Sequence, residues 1–495
     1  MRLPEYDDLD ATALAAMVQA GEVSPGELVE AAIERIEARN PAINAVVHRS
    51  YERARAQAAD PALPQGPFRG VPFLLKDLKA DDAGQPSTSA SALLRQHKPG
   101  HDSELVARFK RAGLIVCGRT NTPEFGILGV TEPALYGPTR NPWDHGRTCG
   151  GSSGGSGAAV AARMTPLAHG GDGGGSIRIP ASHCGLVGLK PTRGRVPLPP
   201  VQGRWADFVV EHVLARSVRD SAGILDCIAG PALGDAHTAV PPTGPYAQAI
   251  TRPPGKLRIA FCRDALFAEG ISEECQAAVD QAVALAQDLG HELVEAKPRF
   301  DRAAMVRAYL TVVAGNVAAG VRAAEALVGH RARSGELEDG TWLLRTIGES
   351  LSAADYIEQL AVIEREAVEV ARFFENHDVL LTATVARPPV EIGELAPKPA
   401  ELMAVRALRR APIKAVLMKV LDQLAQTSLT PVPNTQLFNM TGQPAISLPL
   451  YWTEGGLPIG TQWAARTGAE DLLLQLAATL EQARPWAERK PPGPV

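Results

Sequence analysis

Two glycine-rich runs carry the residues whose types and spacing could do chemistry. Residues 150–157 read GGSSGGSG, and residues 170–180 read GGDGGGSIRIP. The second run packs five glycines around one aspartate and ends them on Ser176. Glycine inside regular structure costs about 0.5–1 kcal/mol relative to alanine. Five together imply either backbone turns closed to other residues or close approach of another group to the N–H groups. A serine hydroxyl is a weak nucleophile until a base removes its proton. Histidine is the usual base, but no histidine motif is tied to these serines. A neutral lysine can serve instead, and Lys76 is the candidate. It ends the apolar run GVPFLL of residues 70–75, where loss of hydration would lower its pKa. Bringing an amine from ~10.4 to ~7–8 takes about 3–4 kcal/mol of differential stabilisation, within reach of a buried group. A solvated or salt-bridged lysine fits the same position, so spacing alone leaves its role open.

Other chemistries fail on their neighbours. A phosphate-binding loop needs lysine and then Ser or Thr after its last glycine; here Ala158 and Ala159 follow Gly157. Gly151-x-Ser153-x-Gly155 has the formula of a nucleophile elbow, but that elbow follows a strand, and residues 141–147, NPWDHGR, do not read as one. A flexible Gly/Ser turn accounts for one run, not for two that flank a small-residue helix at 157–164. The 11 histidines never form H-x-H or H-E-x-x-H, and His183-Cys184 reads as a packed core dipeptide. The 6 cysteines are scattered without a C-x-x-C pair, as reduced thiols of a cytoplasmic protein would be. Neither a metal nor another cofactor is expected.

A net charge of −5 without a Lys/Arg run gives no case for nucleic acid or anionic membrane as partner. The N-terminus, MRLPEYDDLDATALAAM, lacks a signal-peptide core. No apolar run approaches the ~18–20 residues of a membrane span. At 495 residues the chain could hold two or three average domains.

The elements that must position these residues alternate in type. Ser24-Pro25-Gly26-Glu27 is a capping box, and Leu28, Ala32, Ile33 and Ile36 continue a helix to about residue 38. Short buried strands are expected at 70–75, 114–117 and 186–189, with a helix near 103–112. Residues 205–235 and 300–375 read as helical, with Pro-rich breaks near 241–254 and 388–398. Strands return at 445–450 and 459–463 before a last helix at 470–482. The Gly/Ser/Pro-rich segment 145–200 interrupts this rhythm without being low-complexity. The alternation predicts an α/β layered fold around a largely buried sheet.

The run from Gly150 to Pro191, GGSSGGSGAAVAARMTPLAHGGDGGGSIRIPASHCGLVGLKP, resembles the signature of the amidase signature family, the Ser–cis-Ser–Lys amidohydrolases. RGVPFLLKDL, RTNTPEFG, TRNPW, GLKPTRGRVP, ARSVRD and FNMTGQPAISLPL follow in the family's order, so the resemblance spans nearly the whole chain. It implies a single domain over residues 1–495, with a central mixed sheet covered by helices on both faces. The signature core would lie at about 65–200, and a helical insertion at about 300–440 would shape the substrate pocket. The resemblance places the base on Lys76, the bridging serine with its cis peptide on Ser152, and the nucleophile on Ser176, 24 residues after Ser152.

By the same resemblance the N–H groups of Gly173, Gly174 and Gly175, with that of Ser176, converge as an oxyanion hole. Each such donor lowers the barrier by roughly 3–4 kcal/mol. Ser153, Asp172 and Arg178 orient the loop. The implied reaction is cleavage of a carboxylic amide through an acyl-enzyme on Ser176. One departure stands out: the family has Thr-Asp-Thr/Ile-Gly-Gly-Ser where this chain has GDGGGS at 171–176. If the ordinary loop conformation holds, Gly173→Thr is tolerated.

Family substrates range from glutamine to fatty amides, aryl amides, carbamates and nylon oligomers. Residues 351–360, LSAADYIEQL, lack the Tyr-rich basic motif of tRNA-dependent glutaminase subunits. TEPALYGPTRNPW, PVEIGEL and EDLLLQLAATLEQARPW are most similar to the branch of 6-aminohexanoate-cyclic-dimer hydrolases. Phe125, Ile127 and Leu128 are expected to line an apolar acyl site, although plain core packing explains them equally. Such a site suits an uncharged aliphatic or aryl amide, a nylon-type oligoamide or a carbamate. The alternatives are an esterase with the same triad and a non-catalytic amidase-like subunit of an amidotransferase; the intact Lys76, Ser152 and Ser176 argue against the second. Homodimers, common among relatives, are the expected assembly by analogy.

Overall fold

The computed structural model describes residues 4–198, 205–410 and 412–492. Residues 1–3 of the N-terminal reading and 199–200 of the Gly/Ser/Pro-rich segment lie outside them. The strands are β1 (Val46–Arg49), β2 (Pro72–Lys76), β3 (Ile115–Thr120), β4 (Arg140–Asn141), β5 (Asp144–Thr148), β6 (Leu167–Asp172), β7 (Val187–Lys190), β8 (Val210–Ala215), β9 (Arg258–Phe261), β10 (Glu292–Glu295), β11 (Val379–Ala383), β12 (Ala445–Trp452) and β13 (Pro458–Ala465). Among the described residues, β4 and β5 form a small hairpin. The other 11 make one sheet in the order β1-β3-β2-β6-β8-β7-β12-β13-β11-β9-β10. The sheet is mixed: β2 runs parallel to β3 and β6, while β8 is antiparallel to both β6 and β7.

Successive side chains of a strand point to opposite faces, and here both faces are covered. Phe73 and Leu75 of β2, with Val213 and Ala215 of β8, enter one core with the helices Ala11–Ala20, Val218–Ile228 and Glu470–Ala483. Leu74 and Leu214 enter another, with helices Pro25–Ile43 and Gly154–Ala161. The first of those two begins at the expected capping box, where Ser24 and Glu27 exchange hydrogen bonds. A third core joins Ala260, Leu380 and Ala464 of the sheet to a layer of helices at Arg302–Val328, Asp339–Ser350, Ala353–Phe373, Pro399–Arg410 and Lys414–Thr427.

Two expectations need correction. Residues 205–235 are not uniformly helical, because they hold β8 before the helix Val218–Ile228. The run VEHVLA is buried at all of its positions, and a strand buried on both faces shows no period that separates it from a helix. The helix Arg302–Val328 is also long and apolar enough to cross a membrane, against the expectation that no run approaches that length. In this fold 67% of its apolar window is buried, chiefly against the neighbouring helices of its own layer.

Candidate active site

Lys76 is the last residue of β2 and only 1% exposed. Its Nζ lies 2.7 Å from Ser152 Oγ, 3.0 Å from Ser153 Oγ and 3.4 Å from the Gly171 carbonyl. Burial pulls the amine down from 10.5 to about 8, while Glu211 and Asp172 pull the other way. These three acceptors match the three N–H donors of an ammonium, and a neutral amine can keep the same three contacts. Two N–H groups can serve Ser153 Oγ and the Gly171 carbonyl, leaving the lone pair to accept from the Ser152 hydroxyl.

Ser152 and Ser153 lead into the helix Gly154–Ala161, every residue of which is buried. The Gly151–Ser152 peptide is cis. Ser153 N–H donates to the Ser176 carbonyl at 3.1 Å, which ties the two glycine-rich runs together. The second run starts as strand rather than loop, since β6 continues through Gly170 and Gly171 to Asp172.

Asp172 anchors the loop that leaves the end of β6. Its carboxylate accepts from Gly175 N–H at 2.7 Å and Ile177 N–H at 3.2 Å, and from Arg178 Nε and Nη2 at 2.9 Å each. Burial alone would raise its pKa, but the Arg178 guanidinium and these donors outweigh it and hold the carboxyl well below the usual range. Arg178 also donates to Asn439 Oδ1 and Gln462 Oε1 at 2.6 Å each. Asn439 Nδ2 returns a bond to the Asp172 carbonyl at 2.8 Å, and Thr435 Oγ1 donates to the Gly174 carbonyl at 2.7 Å.

The loop is therefore held from within and from the C-terminal segment. Gly175 N–H is already committed to Asp172. Gly174 and Ser176 open into a cavity of about 600 Å³. A side chain at Gly174 has no room, because its Cβ would stand 2.2 Å from the Tyr309 hydroxyl. For Gly173→Thr the neighbours decide: a Cβ there meets side-chain atoms of Val209 and Trp205 at 3.0–3.2 Å, and it is accommodated where these give by a few tenths of an ångström.

Ile127 and Leu128 line the cavity, together with Val313, Leu344, Leu408 and Leu424 of the helical layer. Phe125 does not line it; held at φ 51° in a tight turn, it packs against the third core. Sequence alone assigns no role to Tyr309, Asn439, Thr435 or Gln462. Asn439 stands inside FNMTGQPAISLPL, where a buried polar residue in an apolar run is a signal that could have found it. Tyr309 leaves no such signal within a long helix. Among the described residues, no group of three or more His, Cys, Asp or Glu is placed to hold a metal.

The amidase family profile matches residues 27–474. The chain belongs to the amidase family. This amide hydrolase is 40% identical over 491 residues to a 6-aminohexanoate-cyclic-dimer hydrolase of Pseudomonas sp. (strain NK87), covering 97% of this chain and 96% of that protein. The solved structure of a 6-aminohexanoate cyclic dimer hydrolase complexed with substrate superposes with a TM-score of 0.90 at 38% identity, covering 98% and 99% of the two chains. A bacterial aryl acylamidase of the amidase signature enzymes matches with a TM-score of 0.83 at 26% identity, over 97% of each chain. The amidase thus has the central mixed sheet flanked by helices that its sequence leads one to expect.

Proposed function

We propose that this amide hydrolase works through an acyl-enzyme on Ser176, with Ser152 as proton bridge and Lys76 as base. The observation that carries this reading is the buried Lys76 amine, 2.7 Å from Ser152 Oγ, behind a serine that opens into an apolar cavity. Ser176 Oγ attacks the amide carbonyl as its proton passes to Ser152, whose own proton passes to Lys76. The N–H groups of Gly173, Gly174 and Ser176 receive the developing oxyanion; Gly175, whose N–H serves Asp172, shapes the loop instead. The relay then returns the proton to the leaving nitrogen, the C–N bond breaks, and water hydrolyses the ester along the same path.

The apolar walls favour an uncharged aliphatic or aryl acyl group, and a cavity of this size takes a molecule of several hundred daltons. Nylon-type oligoamides, anilides and aryl carbamates meet that description. The test is hydrolysis of a primary amide, an anilide, linear and cyclic aminohexanoate oligomers, an aryl carbamate and an ester, each beside Ser176→Ala. Cleavage of the amides that vanishes in Ser176→Ala supports the reading. Cleavage of the ester alone makes the protein an esterase, and no serine-dependent cleavage at all removes the catalytic role of Ser176.

A further inference from the structure

Behind the Lys76 amine lies a buried pair that the proton relay does not use. β2 and β6 register at one pair, Leu74 with Ala168. Beyond it, the Lys76 N–H donates to the imidazole of His169, Nδ1 at 3.3 Å. With Nδ1 accepting, the ring carries its proton on Nε2, and Nε2 faces Glu211 Oε2 at 2.9 Å. Glu211 stands on β8 opposite Gly171. Its carboxylate fills the space a side chain at 171 would need, since a Cβ there would lie 2.4 Å from Oε2. The Gly171 carbonyl is in turn 3.4 Å from Lys76 Nζ. Carboxylate, imidazole and amine are all buried together.

We infer that Glu211 is a positioning residue for the reaction: through His169 it fixes the Lys76 main chain, and across Gly171 its charge sets how readily the Lys76 amine holds a proton. The inference rests on Lys76 acting as the base. Other charges around the amine are Asp77 beside it, Arg119 on β3, whose Nη1 donates to the Lys76 carbonyl at 3.1 Å, and Asp172 at the end of β6. Asp172 is matched by Arg178, which forks onto its carboxylate. Glu211 Oε2 meets the His169 imidazole at 2.9 Å. Among the charges that raise the basicity of Lys76, that of Glu211 is the larger, ahead of Asp172. Burial alone would leave a neutral but feeble base; the carboxylate restores basicity, and proton transfer is fastest when the base is poised near the working pH.

The test is Glu211→Gln, which keeps the size and an acceptor for His169 Nε2 but removes the charge. Two readouts are followed in the full-length protein: the acid limb of kcat/KM on an anilide, and the NMR titration of the Lys76 Cε resonance in lysine-labelled protein, assigned by its loss in Lys76→Gln. The expected result is a fall of about 1 pH unit in both midpoints. Equal midpoints in wild type and Glu211→Gln, with activity lowered evenly at every pH, would overturn the inference. If Glu211→Gln does not fold, Glu211→Asp is read in the same way, with a smaller fall expected and no fall fatal. A Lys76 titration that shifts in a protein whose Ser176 cleaves nothing would sink the acyl-enzyme reading while the electrostatic link stands.

Discussion

The two walls of the cavity are built on different principles. On the sheet side, the loop that ends on Ser176 is held by polar contacts among fully buried groups: Asp172 and Arg178 are both 0% exposed, and each oxygen of the carboxylate meets more than one donor. Across from it, the helical layer presents Val313, Leu344, Leu408 and Leu424, side chains with no polar atom to direct. A buried ion pair fixes direction as well as distance, and breaking it is costly. Apolar packing fixes mainly volume, and it tolerates exchange. The geometry needed for chemistry is thus pinned, while the surface that meets the substrate is free to vary.

The largest effects belong to the relay on the pinned wall. Ser176→Ala and Lys76→Met are each expected to lower kcat on an amide by at least about 10⁴-fold. Wild-type kcat/KM is expected to fall tenfold per pH unit below about 8, where the amine takes up its proton. Stability follows the same residue through a different window. Lys76 titrates near 10.5 when unfolded and about 8 when folded, so between those values the unfolded chain binds the extra proton and stability rises with pH. Calorimetry across that window should show the rise in wild type and its absence in Lys76→Met.

Next in size is the loop anchor. Asp172→Asn leaves the Arg178 guanidinium buried without its counter-charge, and loss of one partner of such a pair costs about 3–5 kcal/mol. Chemical denaturation should report that loss, and kcat should fall with it because the amide keeps only one acceptor oxygen, so the Gly175 and Ile177 N–H groups, which use different oxygens of the carboxylate, can no longer both be satisfied. On the opposite wall, Leu344→Ala should do the reverse. Stability should change by about 1 kcal/mol or less, kcat should hold, and KM for the longer oligoamides should rise about tenfold. Equal losses of kcat in both variants would erase the distinction between the walls.

The same divide decides what the sequence could show. Ser152, Ser153, Asp172, Ser176 and Arg178 lie in runs whose glycines and serines are too costly to be incidental, whereas Lys76 ends an apolar run and takes its role from the family resemblance. In the structure Lys76 Nζ meets Ser152 and Ser153, the Ser153 N–H meets the Ser176 carbonyl, and Arg178 pairs with Asp172. The strands that carry them are harder to see. β6 reads LAHGGD and β8 reads VEHVLA, the one weak in strand formers and the other without alternation, since each is buried on both faces. The polar partners Thr435, Asn439 and Gln462 reach the loop from some 260–285 residues away, and separations of that kind leave no local period. Phe125 shows the limit in the other direction: an apolar residue beside Gly126 and Ile127 groups with the cavity lining by sequence, but the backbone turn points it into the core.

Glu124 sits where the two regions meet, and it gives the smallest but most discriminating test. Its carboxylate accepts from Ser91 Oγ at 2.6 Å, from Thr341 Oγ1, and from Glu338 N–H at 2.8 Å, so it straps the turn that carries Gly126, Ile127 and Leu128 to the start of the helix Asp339–Ser350. Burial raises this carboxyl from 4.5 to about 7 against those donors, with Glu338 adding to the rise. Between those values the folded protein binds the extra proton, so this group favours the fold most below pH 4.5, and its contribution is lost as pH climbs through 7. Glu124→Gln removes the ionisation and should stabilise the protein above pH 7 relative to wild type while leaving it nearly unchanged near pH 5. If the strap also sets the width of the cavity, KM should change a few-fold while kcat holds, because Lys76, Ser152 and Ser176 are fixed by other bonds. A fall in kcat without a change in KM would mean that the helical layer reaches the relay after all, and that the two walls are not separately built.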